Sequence, residues 1–197
     1  MRLYCTTTNA GKLREFRKAF DDAFEVESLP GLAAIPVCEE TGATFEENAI
    51  QKAVYYSKHC DGYLFVDDSG LEVDALNGAP GVYSARFAGP NATDDANNRL
   101  LLDRMRGVPE RTARFVSVVA LARHGQIVRT FRGEVEGQLT DTPRGENGFG
   151  YDPLFYYPPF GCTFGEAPLE RKMNVSHRAK ALDAMRGFLK ELPAAEW

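Results

Sequence analysis

Apolar positions along the chain alternate between short unbroken runs and spacings of three and four. The first run, at 2–6, is halted by Thr7-Thr8-Asn9-Ala10-Gly11, after which Leu13, Phe16, Phe20 and Phe24 follow at helical spacing. Short apolar runs pack as strands, whereas a three–four spacing gathers side chains on one helical face. The pattern predicts a strand, a helix whose stripe reaches Phe24, and a second strand over 25–29 closed by Pro30-Gly31. Thr44 with Glu47 three residues on is a capping-box signature, and predicts a helix running to about Lys58. The apolar run at 63–66 reads as a buried strand ending at Asp67-Asp68-Ser69-Gly70. Residues 70–92, rich in Gly, Pro, Ala and Asn, read as a long ordered loop, and such loops usually serve function. A helix is expected over 93–105, with Leu101, Leu102 and Met105 facing inward. Strands are expected over 114–122 and 127–135, joined by a turn at His124-Gly125-Gln126. A glycine-rich stretch at 145–151 precedes a short strand at 154–157 that Pro158-Pro159 stops. A last helix over 177–192 lines up Leu182, Met185 and Leu189.

Strand–helix units at the front, followed by further strands, predict an α/β fold with a mixed sheet. The expected organisation is one domain over residues 1–197. Ligands in such folds gather at the carboxyl ends of strands. Composition adds three constraints. The charge of −5, from 23 Lys and Arg against 28 Asp and Glu, argues against a general nucleic-acid binder. A small polyphosphate is still admissible, but only where lysines and arginines converge locally. Cys5, Cys38, Cys60 and Cys162 are scattered without a CxxC pair, which favours reduced thiols in a cytoplasmic protein over zinc or disulfides. No apolar run reaches membrane-spanning length, so no membrane association is expected.

Four polar clusters interrupt this pattern. Thr7-Thr8-Asn9-Ala10-Gly11-Lys12 opens a helix, whose free N–H groups and partial positive charge suit phosphate. The same residues also read as an ordinary Asn- or Thr-capped helix with a solvated lysine. Glu39-Glu40 and Asp67-Asp68 form an acidic group. Mg²⁺ takes one or two carboxylates together with substrate phosphates, and adjacent residues of a strand point to opposite sides. At most one of Asp67 and Asp68 is therefore a direct ligand, the other orienting its neighbours. A solvated loop at Glu39-Glu40 and a polar turn at Asp67-Asp68-Ser69-Gly70 are the plainer readings. Asn48 and Lys52, one helical turn apart, belong with a basic group that includes Arg171, Lys172, His177 and Arg178. Cations opening a helix oppose its dipole, which a bound anion would relieve; otherwise Ser176 caps an exposed His177-Arg178. In Gly148-Phe149-Gly150-Tyr151-Asp152-Pro153, a Phe between glycines is suited to stack on a flat ring, with Asp152 an acceptor for ring N–H groups. A tight turn with local packing of Phe149 and Tyr151 is the alternative.

Taken in order, these clusters resemble the inosine triphosphate pyrophosphatase family, the XTP/dITP diphosphatases. The resemblance runs from Thr7 to the last helix. It includes Glu39-Glu40-Thr41-Gly42 with Phe45-Glu46-Glu47-Asn48-Ala49, Asp67-Asp68-Ser69-Gly70-Leu71, Gly78-Ala79-Pro80-Gly81 with Tyr83-Ser84-Ala85-Arg86, and Lys172 with Ser176-His177-Arg178. Thr8 stands where bacterial relatives commonly carry Gly. The resemblance implies an elongated α/β fold with two lobes around a central cleft, and a homodimer. It implies Mg²⁺-dependent hydrolysis of ITP, dITP and XTP to monophosphate and pyrophosphate. Asp68 would be proton acceptor and metal ligand, with Glu40 the second metal carboxylate. Thr7, Thr8, Asn9, Ala10, Gly11, Lys12 and Lys52 would contact the polyphosphate. Ser69, Phe149, Gly150, Tyr151, Asp152, Lys172, His177 and Arg178 would complete the substrate contacts.

On this reading Phe149 stacks on the base, Lys172 adds charge toward the phosphates, and His177 and Arg178 donate to a 6-oxo group. Adenine's 6-amino group cannot accept those bonds, so ATP would leave the donors unpaired. A pyrophosphatase for modified pyrimidine nucleotides and a non-catalytic nucleotide sensor are the competing functions.

Overall fold

The computed structural model describes residues 2–20 and 24–193. Seven strands form one sheet: β1 (Arg2–Cys5), β2 (Glu25–Ser28), β3 (Tyr63–Val73), β4 (Thr112–Arg123), β5 (Gln126–Leu139), β6 (Phe155–Tyr157) and β7 (Cys162–Thr163), in the order β2-β1-β3-β4-β5-β6-β7. β1 pairs parallel with β2 and β3, and β6 pairs antiparallel with β5 and β7, so the sheet is mixed. The flanking helices are α1 (Ala10–Phe20), α2 (Phe45–Tyr56), α3 (Asp94–Arg104), α4 (Leu169–Met173) and α5 (His177–Glu191). Among the described residues, no helix is long and apolar enough to cross a membrane.

The chain divides into two compact units, passing from one to the other within β3, β4 and β5 and again at the start of α5. The first comprises Met1–Asp68, Ser117–Gly133 and Arg178–Trp197; the second comprises Ser69–Val116 and Glu134–His177. In the first, Phe16 and Phe20 of α1 and Leu182, Met185 and Leu189 of α5 pack with Leu3, Phe65, Val119 and Leu121 of the strands. The expected stripe on the last helix is thus the core face. Phe24 joins this core from just before β2 rather than from a helix, since α1 ends at Phe20 and residues 21–23 lie outside the described ones. In the second unit, Leu71 and Val73 of β3, Leu101 and Met105 from the α3 segment, and Phe115, Phe155 and Phe164 form a separate core.

α2 starts as the capping box specified. Thr44 Oγ1 accepts from Glu47 N–H at 3.1 Å, and Glu47 Oε2 accepts from Thr44 N–H at 3.2 Å. β4 and β5 meet at a two-residue turn, His124-Gly125, and both outrun their expected ends. β3 departs most from the expectation. It does not end at Val66 but continues through Asp67-Asp68-Ser69-Gly70 to Val73, because Leu71 and Val73 are buried again and anchor the far end. The stretch read as a loop over 70–92 therefore begins as strand and goes on as 3-10 turns at Asp74–Leu76 and Gly81–Arg86. β7 and α4, at 2 and 5 residues, are too short to leave a period in the sequence.

Candidate functional site

In the first unit Glu40, Asp67 and Asp68 meet Lys12, Lys52 and Arg178, whereas Arg171, Lys172 and His177 of the expected basic group belong to the second unit. Asp67 and Asp68 are consecutive in β3, so their side chains leave opposite faces of the strand. Asp68 Oδ1 accepts from Lys52 Nζ at 2.6 Å, and Glu40 Oε1 accepts from the same ammonium at 2.7 Å. Lys52 reaches this point from α2, one turn after Asn48. Burial pulls the lysine toward its neutral form, but Asp68 and Glu40 outweigh it and raise its pKa. Burial also raises Asp68 above its ordinary value, with Lys52 opposing. Among the described residues no three or more His, Cys, Asp or Glu side chains gather as a metal cage. Two carboxylates converging on the Lys52 ammonium are oxygen donors of the kind a hard divalent cation takes along with water and phosphate.

Glu40 sits on a loop tied to α2. Gly42 N–H donates to Asn48 Oδ1 at 2.8 Å, and Thr41 N–H donates to Gln51 Oε1 at 3.2 Å. A Cβ at Gly42 would lie 2.6 Å from Glu47 Cβ and 2.9 Å from Asn48 N, so this loop packs on α2 only without a side chain there. Gly42→Ala is accordingly expected to push the Glu40 loop away from α2 and lower turnover by roughly tenfold, with the helix content in circular dichroism retained. Unchanged turnover would show that this loop has no part in placing Glu40.

Asp67 makes a different set of contacts. Its Oδ2 accepts from Arg178 Nε at 3.2 Å and Nη2 at 3.1 Å, and lies 2.8 Å from Lys12 Nζ. Its Oδ1 accepts from Ser117 Oγ at 2.6 Å. Burial alone would raise this carboxyl, but Arg178 and Lys12 prevail and hold it well below the usual carboxylate range. Arg178 also donates to Glu15 Oε2 through Nη1. The three side chains of Glu15, Asp67 and Arg178 are buried. The bland expectation of an exposed His177-Arg178 pair is therefore wrong: both residues are buried, and Arg178 is directed to carboxylates. Lys12 follows a cap at Asn9, whose Oδ1 accepts from Lys12 N–H at 3.0 Å, while Asn9 N–H donates to Thr7 Oγ1 at 3.1 Å. Thr8 and Ala10 are exposed and Gly11 half-buried at the helix opening.

In the second unit the glycine-flanked aromatic loop is organised from several sides. Asp152 is buried, and its Oδ2 accepts from Phe149 N–H at 3.0 Å and from Lys172 Nζ at 2.6 Å. Lys172, expected to add charge toward phosphates, directs its ammonium to Asp152 and lies 5.1 Å from the Phe149 ring centre. Tyr151 donates through its hydroxyl to Ser84 O at 2.8 Å. Gly150 is held from α3: its N–H donates to Asp94 Oδ2 at 2.7 Å, and its carbonyl accepts from Asn98 Nδ2 at 2.9 Å. Phe149 is half-buried. The His177 ring stacks on Phe115, centroids 4.8 Å apart and planes 15° from parallel. Ser69 is half-buried in β3.

Sequence reasoning missed Glu15 and Ser117 as partners of the first cluster, and Asp94 and Asn98 as supports of the Phe149 loop. An acid in the first turn of a helix was a visible signal for Asp94. Nothing local marks Glu15 as buried rather than solvated.

The sequence signature of the Ham1 family matches residues 3–188, almost the whole chain. The chain belongs to the Ham1 family. This Ham1 chain is 49% identical to a protein of Acidobacterium capsulatum named dITP/XTP pyrophosphatase, covering 98% of each. It is 50% identical to a dITP/XTP pyrophosphatase of an Exiguobacterium species, over 92% of this chain and 93% of the relative. Among solved structures, the Staphylococcus aureus Ham1 protein superposes with a TM-score of 0.85 at 40% identity, covering 96% of this chain and 98% of that one. A Ham1 protein from Coxiella burnetii gives a TM-score of 0.87 at 36% identity, covering 98% and 100%.

Proposed function

We propose that this Ham1-family protein is a hydrolase that cleaves non-standard purine nucleoside triphosphates, dITP, XTP and ITP, to the monophosphate and pyrophosphate. The observation that carries the reading is the convergence of Glu40 and Asp68 on one ammonium, Lys52 Nζ. Two acids held on a single cationic point serve phosphoryl chemistry, whereas a binder of polyphosphate gains nothing from added negative charge. Relatives about half identical over nearly their full length carry the name dITP/XTP pyrophosphatase, which supports the substrate class.

In this proposal Glu40 and Asp68 hold Mg²⁺, which supplies charge neutralisation for the phosphate oxygens. Lys52 and Lys12 bring the remaining positive charge, and the N–H groups opening α1 cradle phosphate. Asp68 takes the proton of the attacking water. The base stacks on Phe149, and His177 reads its edge. The Arg178 guanidinium, directed to Asp67 and Glu15, is assigned to holding the phosphate end in place rather than to the base. A homodimer and a cytoplasmic setting belong to the same reading, the latter in keeping with four free cysteines.

A pyrophosphate-release panel tests it, with ATP, GTP, ITP, dITP, XTP, dUTP and modified pyrimidine triphosphates, each with and without Mg²⁺. Metal-dependent release from dITP and XTP well above that from ATP is expected. Preference for pyrimidines, or tight dITP binding without release, would overturn the assignment in favour of the two competing functions. Phe149→Ala is expected to weaken base binding by roughly 1–3 kcal/mol, read as a raised KM for dITP with a smaller change in kcat. An unmoved KM would remove Phe149 from the base site.

A further inference from the structure

Three buried charges of the first unit and one half-buried lysine form an alternating series: Glu15, Arg178, Asp67, Lys12. Arg178 binds Glu15 through Nη1 and Asp67 through Nε and Nη2. Asp67 in turn binds Lys12 Nζ, whose side chain alone in the series retains appreciable exposure, at 21%. One carboxylate oxygen, Asp67 Oδ2, serves both cations, while Oδ1 is tied to Ser117 Oγ. A guanidinium sharing its only counter-charge with a lysine would compete for it. Glu15 supplies a second negative charge, so that the buried arginine is matched without drawing Asp67 away from Lys12. Burying three charged side chains for stability alone is poor design, because desolvation offsets most of the attraction. The same arrangement defines the position of one ammonium closely.

We propose that Glu15 and Ser117 are positioning residues for Lys12: acting through Arg178 and Asp67, they set where the Lys12 ammonium stands at the opening of α1. The proposal rests on the reading above that Lys12 contacts the polyphosphate. It has a signed consequence. If Glu15 mattered only as a negative charge near a polyanion, neutralising it would tighten substrate binding. If it positions Lys12, neutralising it weakens binding.

The experiment is a double-mutant cycle on dITP hydrolysis, with KM and kcat measured for Glu15→Gln, Ser117→Ala and Lys12→Ala, and for each of the first two combined with Lys12→Ala. In the wild-type background Glu15→Gln is expected to raise KM about tenfold, in the range of couplings between residues of one network, and Ser117→Ala about threefold. With Lys12 already replaced by Ala, each should change KM by less than about twofold, since there is no ammonium left to place. The same factor in both backgrounds, or a fall in KM for Glu15→Gln, overturns the proposal. Should Glu15→Gln fail to fold, the Ser117→Ala arm of the cycle decides alone, because that change removes only one hydroxyl. A KM indifferent to Lys12→Ala would instead overturn the assignment of Lys12 to the phosphates, a result distinct from equal factors in the two backgrounds.

Discussion

Asp68→Asn is expected to lower pyrophosphate release from dITP by roughly 10²–10⁴-fold, the span that a positioned general base contributes. Asparagine keeps the shape of the side chain, and its carbonyl still accepts from Lys52. It loses both the basic oxygen and the negative charge that, with Glu40, faces the Lys52 ammonium. The fold should hold, because Asp68 lies outside both apolar cores. The measurement is kcat for the purified variant beside its urea unfolding curve. Turnover within a few fold of wild type would dismiss Asp68 as the base. Lost turnover together with a collapsed unfolding midpoint would mean that Asp68 acts on the fold instead.

Removing Arg178 should do the reverse and strike stability first. Arg178→Ala leaves Glu15 and Asp67 buried without the guanidinium that bridges them, and breaking one side of a buried ion pair costs about 3–5 kcal/mol. The effect should be read as a lowered urea midpoint with an unchanged slope. The pH dependence has a definite sign. Asp67 is held below the usual carboxylate range in the folded protein by Arg178 and Lys12, against burial. Its contribution to stability is therefore complete above the unfolded value of about 4 and fades as pH falls toward the lowered folded value. Without Arg178 the carboxyl is held down less, so this group contributes less stability above about pH 4 and the fall in stability on acidification should be shallower than in the wild type. A variant as stable as wild type, with the same fall on acidification, would show that the buried pairing contributes nothing net.

Several elements were legible because they are encoded within a few residues. The capping box at Thr44 and Glu47, the stripe of Leu182, Met185 and Leu189, and the turn at His124-Gly125 each depend on neighbours three or four positions away or closer. The opposite orientation of Asp67 and Asp68 followed from the alternation of side chains along a strand. β3 was cut short because its second half contains Asp67, Asp68, Ser69 and Gly70, a composition that locally signals a turn. The strand continues because Lys12, Arg178 and Ser117 compensate Asp67, and because Leu71 and Val73 bury themselves in the second core.

The sequence by itself determined the α/β class, the main helices with their caps and inward faces, the family resemblance, and the residue types available for phosphate and base. Only the tertiary structure decided which charge meets which. Arg178 finds Asp67 from 111 residues away and Glu15 from 163, and Lys172 finds Asp152 across 20. Periodicity reports the face a residue shares with its near neighbours. The destination of a buried charge depends on desolvation and on counter-charges brought in by distant segments, and those terms exist only once the chain has folded.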